Sequence, residues 1–398
     1  MGENIILRWS ILKKSVVYGT LGVVLAAGLG TALLWDKDEA NNADVKKDPV
    51  QQESVQKQDA VEVMEKAVEV SVSDDGAVNA NHLYIPWTIN KDGSSFFLSQ
   101  REGSVIQIDG DLGLVSVQDV KLSEEIFNEG EGGFLGFTLG EDFAKSKKGF
   151  AYYTYQKNGE ILNRIVSLKL ENDTWTEEKV LLDKIPGGEI NNGGRIKIGP
   201  DGMLYATTGD NGESENAQNL DSLAGKILRM DVNGGIPADN PFENSYVYSF
   251  GHRNPQGLAW DSDKNLYSSE HGESGHDELN LIQAGKNYGW PEIQGDEEAE
   301  GMMKPLIHSG DATWAPAGMA FNDGKLFVAS LAGKKIFTYD LADKEYSEFY
   351  TEAGRLRDVL VDNNELFTIT SNRDNRGNPT DKDDRLIHIP LTEKASAN

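Results

Sequence analysis

Alternation of apolar and polar residues dominates the chain from about residue 82 onward. One unit recurs there: an alternating strand pattern, a turn built from Asp, Asn, Gly or Lys, and a second strand that opens with a bulky apolar pair. Its copies occupy residues 85–100, 134–155, 194–210, 257–270, 318–330 and 356–370. Period-two alternation around such turns predicts six β-hairpins.

The spacing of these hairpins indicates the architecture. They recur at intervals of roughly 40 to 60 residues, which is the length of a four-stranded propeller blade. A β-sandwich is also built from hairpins, but nothing in a sandwich requires one hairpin to be repeated six times. The sequence therefore predicts an all-β, six-bladed β-propeller over residues 81–392, followed by a short tail, 393–398.

An uncharged apolar segment precedes the repeats at residues 15–35. Arg8, Lys13 and Lys14 lie before it, and Asp36 follows it. At about 1.5 Å per residue it is long enough to cross a hydrocarbon core of about 30 Å. The basic flank predicts a transmembrane anchor with residues 1–14 in the cytoplasm and the remainder outside. A cleaved signal peptide, which would leave a secreted protein, is the competing interpretation.

Residues 36–80 are rich in charged and amide side chains and have few aromatic residues. Such a segment cannot bury enough apolar surface to offset its ordering entropy, so we predict a disordered stalk.

Composition narrows the range of partners. The formal net charge is −27, which disfavours nucleic acid as a partner because phosphate backbones are repelled. The chain has no cysteine, so disulfides and thiolate chemistry are excluded. Neutral sugars and divalent cations remain compatible with an acidic surface.

Four motifs between residues 191 and 291 point to a family. They are NNGGRIKIGPDGMLYATTGD, LAGKILRMDVNGGIPADNPF, YSFGHRNPQGLAW and SSEHGESGHDELNLIQAGKNYGWP. In this order they resemble the soluble glucose and aldose sugar dehydrogenases, also called the glucose/sorbosone dehydrogenase family. The resemblance covers about residues 82–390. It implies a propeller that uses pyrroloquinoline quinone (PQQ) and calcium to oxidise an aldose at the anomeric carbon, with an external electron acceptor.

The resemblance also implies a set of cofactor-binding residues. PQQ carries several carboxylates, and arginine binds carboxylates through paired, charge-assisted hydrogen bonds. The matching positions are Arg253, Asn254, His271, Thr313, Arg355 and Arg357. Without the resemblance, an arginine in an acidic protein is read as a surface ion-pair partner.

Two calcium positions follow from the same resemblance. The first corresponds to backbone carbonyls in the segment of His271, Gly272 and Glu273, and the second to Glu278 with the main-chain oxygen of Tyr288. Oxygen ligands of this kind suit a hard cation. Glu278 could instead be a buried carboxylate that caps a turn.

Several positions depart from the family pattern. Asn191 stands where the family has its proton-accepting histidine, and an amide cannot accept a proton at neutral pH. Glu131 replaces a cofactor-contacting glutamine, and Ala332 replaces a lysine. Asp210 is retained and could act as a base if its pKa were raised, or it could close an Asx turn.

Three histidines lie near the motifs in sequence and could replace the missing one: His252, His271 and His276. His252, in GHRNP, reads more simply as a packed loop residue. Three functions stay open at this point. They are a quinone-dependent sugar dehydrogenase with a modified base, a noncatalytic calcium-stabilised propeller that binds a carbohydrate or protein, and a calcium-dependent lactonase-type hydrolase. Oligomeric state cannot be read from the sequence.

Overall fold

The computed structural model describes residues 67–73 and 77–391. Within these ranges the protein is almost entirely β, with one α-helical turn at Phe143–Ser146 and one 3-10 turn at Ser214–Ala217. No helix of the described part is long and apolar enough to cross a membrane. The predicted anchor at 15–35, the tail at 393–398 and most of the predicted stalk lie outside the described residues.

Twenty-five strands in the described ranges form five sheets, which divide into six units that we call blades I to VI. Blade I contains β3 (Pro86–Asp92), β4 (Ser95–Gln100), β5 (Ser104–Asp109) and β6 (Val115–Lys121). Blade II contains β7 (Phe134–Leu139), β8 (Lys148–Lys157), β9 (Glu160–Glu171) and β10 (Thr174–Pro186). Blade III contains β11 (Ile196–Ile198), β12 (Leu204–Thr208), β13 (Lys226–Met230) and β14 (Val247–Phe250). Blade IV contains β15 (Pro255–Trp260), β16 (Leu266–Glu270), β17 (Glu278–Ile282) and β18 (Ile307–His308). Blade V contains β19 (Pro316–Asn322), β20 (Lys325–Ser330), β21 (Lys335–Asp340) and β22 (Tyr346–Tyr350). Blade VI contains β23 (Leu356–Asp362), β24 (Glu365–Thr370), β25 (Leu386–Pro390), β2 (Val78–Asn81) and, at its edge, β1 (Glu69–Val72).

The six predicted hairpins are confirmed, because each repeat supplies the first two strands of one blade. Their turns explain the recurrence of Asn, Asp and Gly. Asp323 and Gly324 both have positive φ, as do Asn363 and Asn364, and this backbone is the one that two-residue hairpin turns require.

Buried apolar clusters join each blade to the next. Phe97 of blade I packs with Phe134 of blade II in one cluster, and corresponding clusters lie between every later pair. Between blades VI and I, Phe367 packs with Phe96 at a ring-centroid distance of 4.7 Å. The first strands also meet at this junction, where β23 contacts β3. A closed ring of such units is consistent with a β-propeller.

The ring is completed by a strand from the start of the described chain. Ala80 of β2 pairs with Leu386 of β25, and β1 pairs with β2 from Glu69 to Val72. The predicted stalk boundary at residue 80 is therefore corrected to a point before Glu69. β2 pairs with β25, which lies far along the chain, and β1 pairs in turn with β2, so local composition does not reveal that these strands belong to the fold.

Candidate functional site

A cleft, which we call the first cavity, opens where the innermost strands of several blades begin. Trp87, Gln256 and Arg357 are the second residues of β3, β15 and β23, and all three line it. The space between its walls, counting the open mouth, is about 500 Å³. Loop residues complete the lining: Arg101, Gly130, Glu131, Asn192, Gly193, His271, Leu331, Asp374 and Arg376.

The guanidinium of Arg357 is held by two neighbours in this cavity. Its Nη1 donates to Oε1 of Gln256 at 3.3 Å, and its guanidinium lies 5.5 Å from the centroid of the Trp87 ring. Its Nε is buried without a hydrogen-bond partner among the described residues. Burial, reinforced by neighbouring guanidinium groups, lowers the pKa of Arg357 to about 9. Such a group gains most from an anionic ligand that accepts its hydrogen bonds.

Two further arginines stand at the mouth. Arg101 donates from Nε to the carbonyl oxygen of Gly132 at 2.7 Å, and Arg376 donates from Nη1 to Oε1 of Glu131 at 2.9 Å. Burial opposes ionisation of Glu131. However, the hydrogen bond from the backbone N–H of Asn191 and the ion pair with Arg376 lower its pKa. Glu131 is therefore a fixed negative charge at the mouth.

The three arginines that the motifs single out do not line one cavity. Arg357 lines the first cavity, whereas Arg355 forms an ion pair with Asp374, whose Oδ2 lies 2.8 Å from Nη2. Arg253 lines a neighbouring space, the second cavity, and its Nη1 donates to the carbonyl oxygen of Gly272 at 2.7 Å. Among the described residues, Arg357 thus keeps an unpaired donor, whereas the guanidinium groups of Arg355 and Arg253 already donate to protein oxygens.

Asn191 lies behind the first cavity rather than on its wall. Its φ of +55° turns the chain, and its backbone N–H donates to Oε2 of Glu131 at 3.0 Å. Nδ2 donates to Oδ1 of Asp210 at 2.8 Å, while Oδ1 accepts from Nδ2 of Asn254 at 3.3 Å. Asn254 in turn accepts from the backbone N–H of Gly193, which lines the cavity. Asn191 and Asn254 therefore support the wall from behind.

Asp210 is buried and fully engaged. Its Oδ1 also accepts from the backbone N–H of Gly212 at 2.9 Å, which is the Asx turn foreseen as one alternative. Its Oδ2 accepts from Nε1 of Trp290 at 2.9 Å.

His271 is the histidine that the fold brings to the site. It lines both the first and the second cavity, and its Nε2 is buried without a hydrogen-bond partner in the described part of the chain. Burial lowers its pKa, so the neutral imidazole is favoured. His252 is fully buried, with contacts of 2.8 Å to both Ser249 and Glu270, and is a packed loop residue. His276 lines only the second cavity and stacks on His308.

The second cavity contains acidic residues. Glu270, Glu278 and Tyr288 line it together with Arg253 and Gly272. Burial, followed by the nearby Glu270, raises the pKa of Glu278 to about 7. Oε1 of Glu278 accepts from the backbone N–H of Gly295 at 3.0 Å, so the turn-capping alternative is also observed.

The two calcium positions fit the structure unequally. At the first, the Gly272 carbonyl already accepts from Arg253, and Glu273 is exposed, so this arrangement does not fit a cation. At the second, Glu278 lines the cavity beside Tyr288, which fits, whereas both oxygens of Glu270 are already engaged by the backbone N–H of Arg253 and by Nδ1 of His252. Over residues 67–73 and 77–391, no cluster of three or more His, Asp or Glu side chains is arranged around a metal position. Calcium would therefore depend on main-chain oxygens as well.

Thr313 is exposed and lines neither cavity. The motifs did not single out Trp87, Arg101, Gln256, Asp374 or Arg376, all of which line the first cavity. The sequence did contain a signal for two of these lining residues. Trp87 and Gln256 each follow the proline that opens the first strand of a repeat.

The fold and the site together define a ring-shaped β protein with an arginine-lined cavity at one end of its inner strands. Comparison with known proteins is more specific. The chain belongs to the Glucose / Sorbosone dehydrogenase family, whose model matches residues 83–378.

Named relatives agree with this membership. The chain is 32% identical over 243 residues to quinoprotein glucose dehydrogenase B of Acinetobacter calcoaceticus, a match covering 53% of this chain and 50% of the relative. It is 32% identical over 272 residues to the aldose sugar dehydrogenase YliI of Escherichia coli, covering 59% of this chain and 73% of the relative. The match to the Acinetobacter protein thus spans half of that relative's length.

A solved structure also matches. The PQQ-bound aldose sugar dehydrogenase of Streptomyces coelicolor superposes with a TM-score of 0.72 at 35% identity, covering 81% of this chain and 98% of that one.

Proposed function

We propose that this protein is a PQQ-dependent aldose sugar dehydrogenase built on a six-bladed propeller, with His271 in place of the family's proton acceptor. One observation carries the proposal. Arg357 and His271 both line the first cavity, and each has a buried nitrogen without a hydrogen-bond partner among the described residues, Nε of the cationic Arg357 and Nε2 of the basic His271. Family membership and the PQQ-bound structural relative support the choice of cofactor.

The first cavity suits a small molecule with several carboxylates. Arg101, Arg357 and Arg376 supply three positive charges to its lining, against two negative charges from Glu131 and Asp374. Arg357 would bind a carboxylate most strongly, because its guanidinium is desolvated before the ligand arrives. Trp87 presents an aromatic face to the same space, against which a planar ring can pack.

Oxidation of an aldose requires removal of a hydroxyl proton together with a hydride. When bound, the quinone supplies the two-electron acceptor for the hydride. Nε2 of His271 is the chain's proton acceptor in this proposal, since burial favours the neutral imidazole and no group of the described residues hydrogen-bonds to that nitrogen.

Asn191 and Asp210 have a positioning role. Both oxygens of Asp210 accept hydrogen bonds, and the Asn191 amide lies between Asp210 and Asn254. An amide has no proton-accepting capacity near neutral pH, so Asn191 does not act as the base. Its hydrogen bonds instead hold the cavity wall of Asn192 and Gly193 in place.

Calcium would occupy the second cavity, held by Glu278 and the main chain near Tyr288. There it would offset the burial that, together with the nearby Glu270, raises the pKa of Glu278. The surrounding sequence supports an extracytoplasmic location, with residues 15–35 as the membrane anchor and an external electron acceptor as the second substrate.

The test is a titration of the full-length protein, with calcium, by PQQ, followed by dye reduction with glucose. We expect micromolar binding detected by the quinone's absorbance, and turnover. His271→Gln should lower kcat by roughly 10²–10⁴-fold while leaving quinone affinity within a few-fold. Arg357→Met should instead weaken quinone binding by roughly 10- to 100-fold.

His388→Gln is the matched control, because His388 lies on β25 and lines neither cavity. Absence of quinone binding would overturn the proposed function. Binding without turnover would favour the noncatalytic alternative. Full turnover by His271→Gln would remove His271 from the reaction while leaving the dehydrogenase assignment intact.

A further inference from the structure

A larger cavity, the channel cavity, lies farther along the inner strands than the first cavity. Its walls come from residues 88–92 of β3, 137–139 of β7, 196–198 of β11 and 358–360 of β23. It therefore opens between the first strands of four blades. Its space, counting the open mouth, is about 1010 Å³, roughly twice that of the first cavity.

Arg195 forms part of this wall and is only 1% exposed. Its Nε donates to the carbonyl oxygen of Gln256 at 2.9 Å, and its Nη1 donates to Oδ2 of Asp358 at 3.0 Å. Its guanidinium stacks 4.3 Å from the centroid of Trp87, which lines the first cavity. Its Nη2 is buried with no hydrogen-bond partner in the described chain. Leaving a desolvated cationic donor without a partner costs free energy of folding, so a hydrogen-bond acceptor beside Nη2 of Arg195 would stabilise the protein.

Lys197 adds a second cation to the same wall. It lies in β11, two residues after Arg195, which immediately precedes that strand, and both residues line this cavity. Its Nζ donates to the carbonyl oxygen of Met319 at 3.0 Å. Burial lowers the pKa of Lys197 to about 8, although Asp358 opposes the shift. An ammonium has three donors, and the Met319 carbonyl accepts one of them.

Asp358 does not balance these two cations. Its Oδ2 accepts from Arg195 and from the backbone N–H of Ile89 at 3.0 Å, and its Oδ1 accepts from its neighbour Val359. One carboxylate thus faces two cations in the interior.

The other charged groups of the wall are not ion-paired with these two cations. Lys91 is ion-paired with Asp362, Glu141 is exposed, and Asp92, which ends β3, is half-buried. Among the described residues, Arg195 therefore has one carboxylate partner, Asp358, and Lys197 has no carboxylate within hydrogen-bonding distance.

We infer that the channel cavity binds a small monoanion, a halide or a short carboxylate, between Nη2 of Arg195 and Nζ of Lys197. The ligand would satisfy the buried donor and neutralise the excess charge. Because Arg195 also stacks on Trp87, the anion would stabilise the partition between the two cavities. The inference does not depend on the proposed redox activity.

The direct test is anomalous diffraction from crystals of the full-length protein soaked in sodium bromide. We expect a bromide peak in the channel cavity, within hydrogen-bonding distance of Arg195 and Lys197. A data set in which bromide occupies surface positions only would overturn the inference.

A solution test uses the melting temperature at constant ionic strength, with sodium methanesulfonate replaced stepwise by sodium bromide or sodium acetate. For the wild type we expect the melting temperature to rise by roughly 2 °C or more and to level off at high anion concentration. A larger rise with bromide would indicate a halide site, and a larger rise with acetate would indicate a carboxylate site. Lys197→Met should abolish the rise. Lys169→Met is the matched control, because Lys169 also donates to a single carbonyl, that of Ser146 at 2.7 Å, away from this cavity.

Equal salt responses in the wild type and Lys197→Met would contradict the inference. If Lys197→Met does not fold, the bromide map of the wild type decides the question alone.

Discussion

The amide of Asn191 donates a 2.8 Å hydrogen bond to the carboxylate of Asp210. The second oxygen of Asp210 accepts from Nε1 of Trp290, so the carboxylate is fixed from two sides. Asn191 thus supplies Asp210 with a hydrogen-bond donor but provides no basic nitrogen of its own.

Asn191→His should raise kcat for aldose oxidation by about tenfold or more, because an imidazole can donate to Asp210 and accept a proton with its other nitrogen. The φ of +55° at this position is one that histidine adopts more readily than most residues. Steady-state dye reduction with saturating quinone would measure the change. The same substitution in a His271→Gln background should restore turnover. If Asn191→His binds quinone normally and is no faster, the amide is not what limits the rate.

Glu131→Gln should tighten quinone binding by about three- to tenfold, since it removes a negative charge from the mouth of an anion-binding cavity. Its lowered pKa means that the wild-type carboxylate is ionised throughout the neutral range. Equilibrium titration followed by quinone absorbance is the measurement. Glu129→Gln, an exposed acid on the same loop, is the control and should have little effect. Weaker binding by Glu131→Gln would mean instead that the Arg376 ion pair organises the mouth.

Phe96→Ala should lower the free energy of unfolding by about 3–5 kcal/mol, because it opens a cavity at the contact that closes the ring. Phe96 is 1% exposed and packs on Phe367 of blade VI. Denaturant unfolding followed by tryptophan fluorescence would measure the loss. Val117→Ala, at a position 61% exposed, should change stability by less than about 0.5 kcal/mol. Similar effects from both substitutions would argue against a closed ring.

Glu102 should make the stability of the protein depend on pH. Its Oε2 is buried without a partner within the described residues, and burial raises its pKa from 4.5 to about 7. Between these values the folded state holds a proton that the unfolded state has lost. The contribution to stability is therefore complete below pH 4.5 and is lost as the pH rises through 7.

Glu102→Gln should accordingly flatten the fall in unfolding free energy between pH 4.5 and 7, measured by denaturant titrations at several pH values. Glu160→Gln, at an exposed turn, should leave the wild-type slope unchanged. An unaltered slope in Glu102→Gln would show that this carboxyl is ionised in the folded protein.

The sequence by itself determined the six hairpins and the loops that carry the family motifs. A hairpin depends on alternation and on turn residues with positive φ, such as Asn363 and Asn364, and these are properties of neighbouring positions. The motifs likewise placed His271 and Arg357 on loops and strand ends that reach one cavity.

Only the tertiary structure decided which of these side chains are available to a ligand. Arg355 and Arg357 are two residues apart, yet Arg355 forms an ion pair with Asp374, while Nε of Arg357 has no hydrogen-bond partner in the part of the chain that the structure describes. Pairs such as Glu131 with Arg376, and Arg195 with Asp358, join residues from opposite parts of the chain. Charge and desolvation act through space over a few ångströms, so the availability of a charged group is fixed by neighbours that local sequence does not specify.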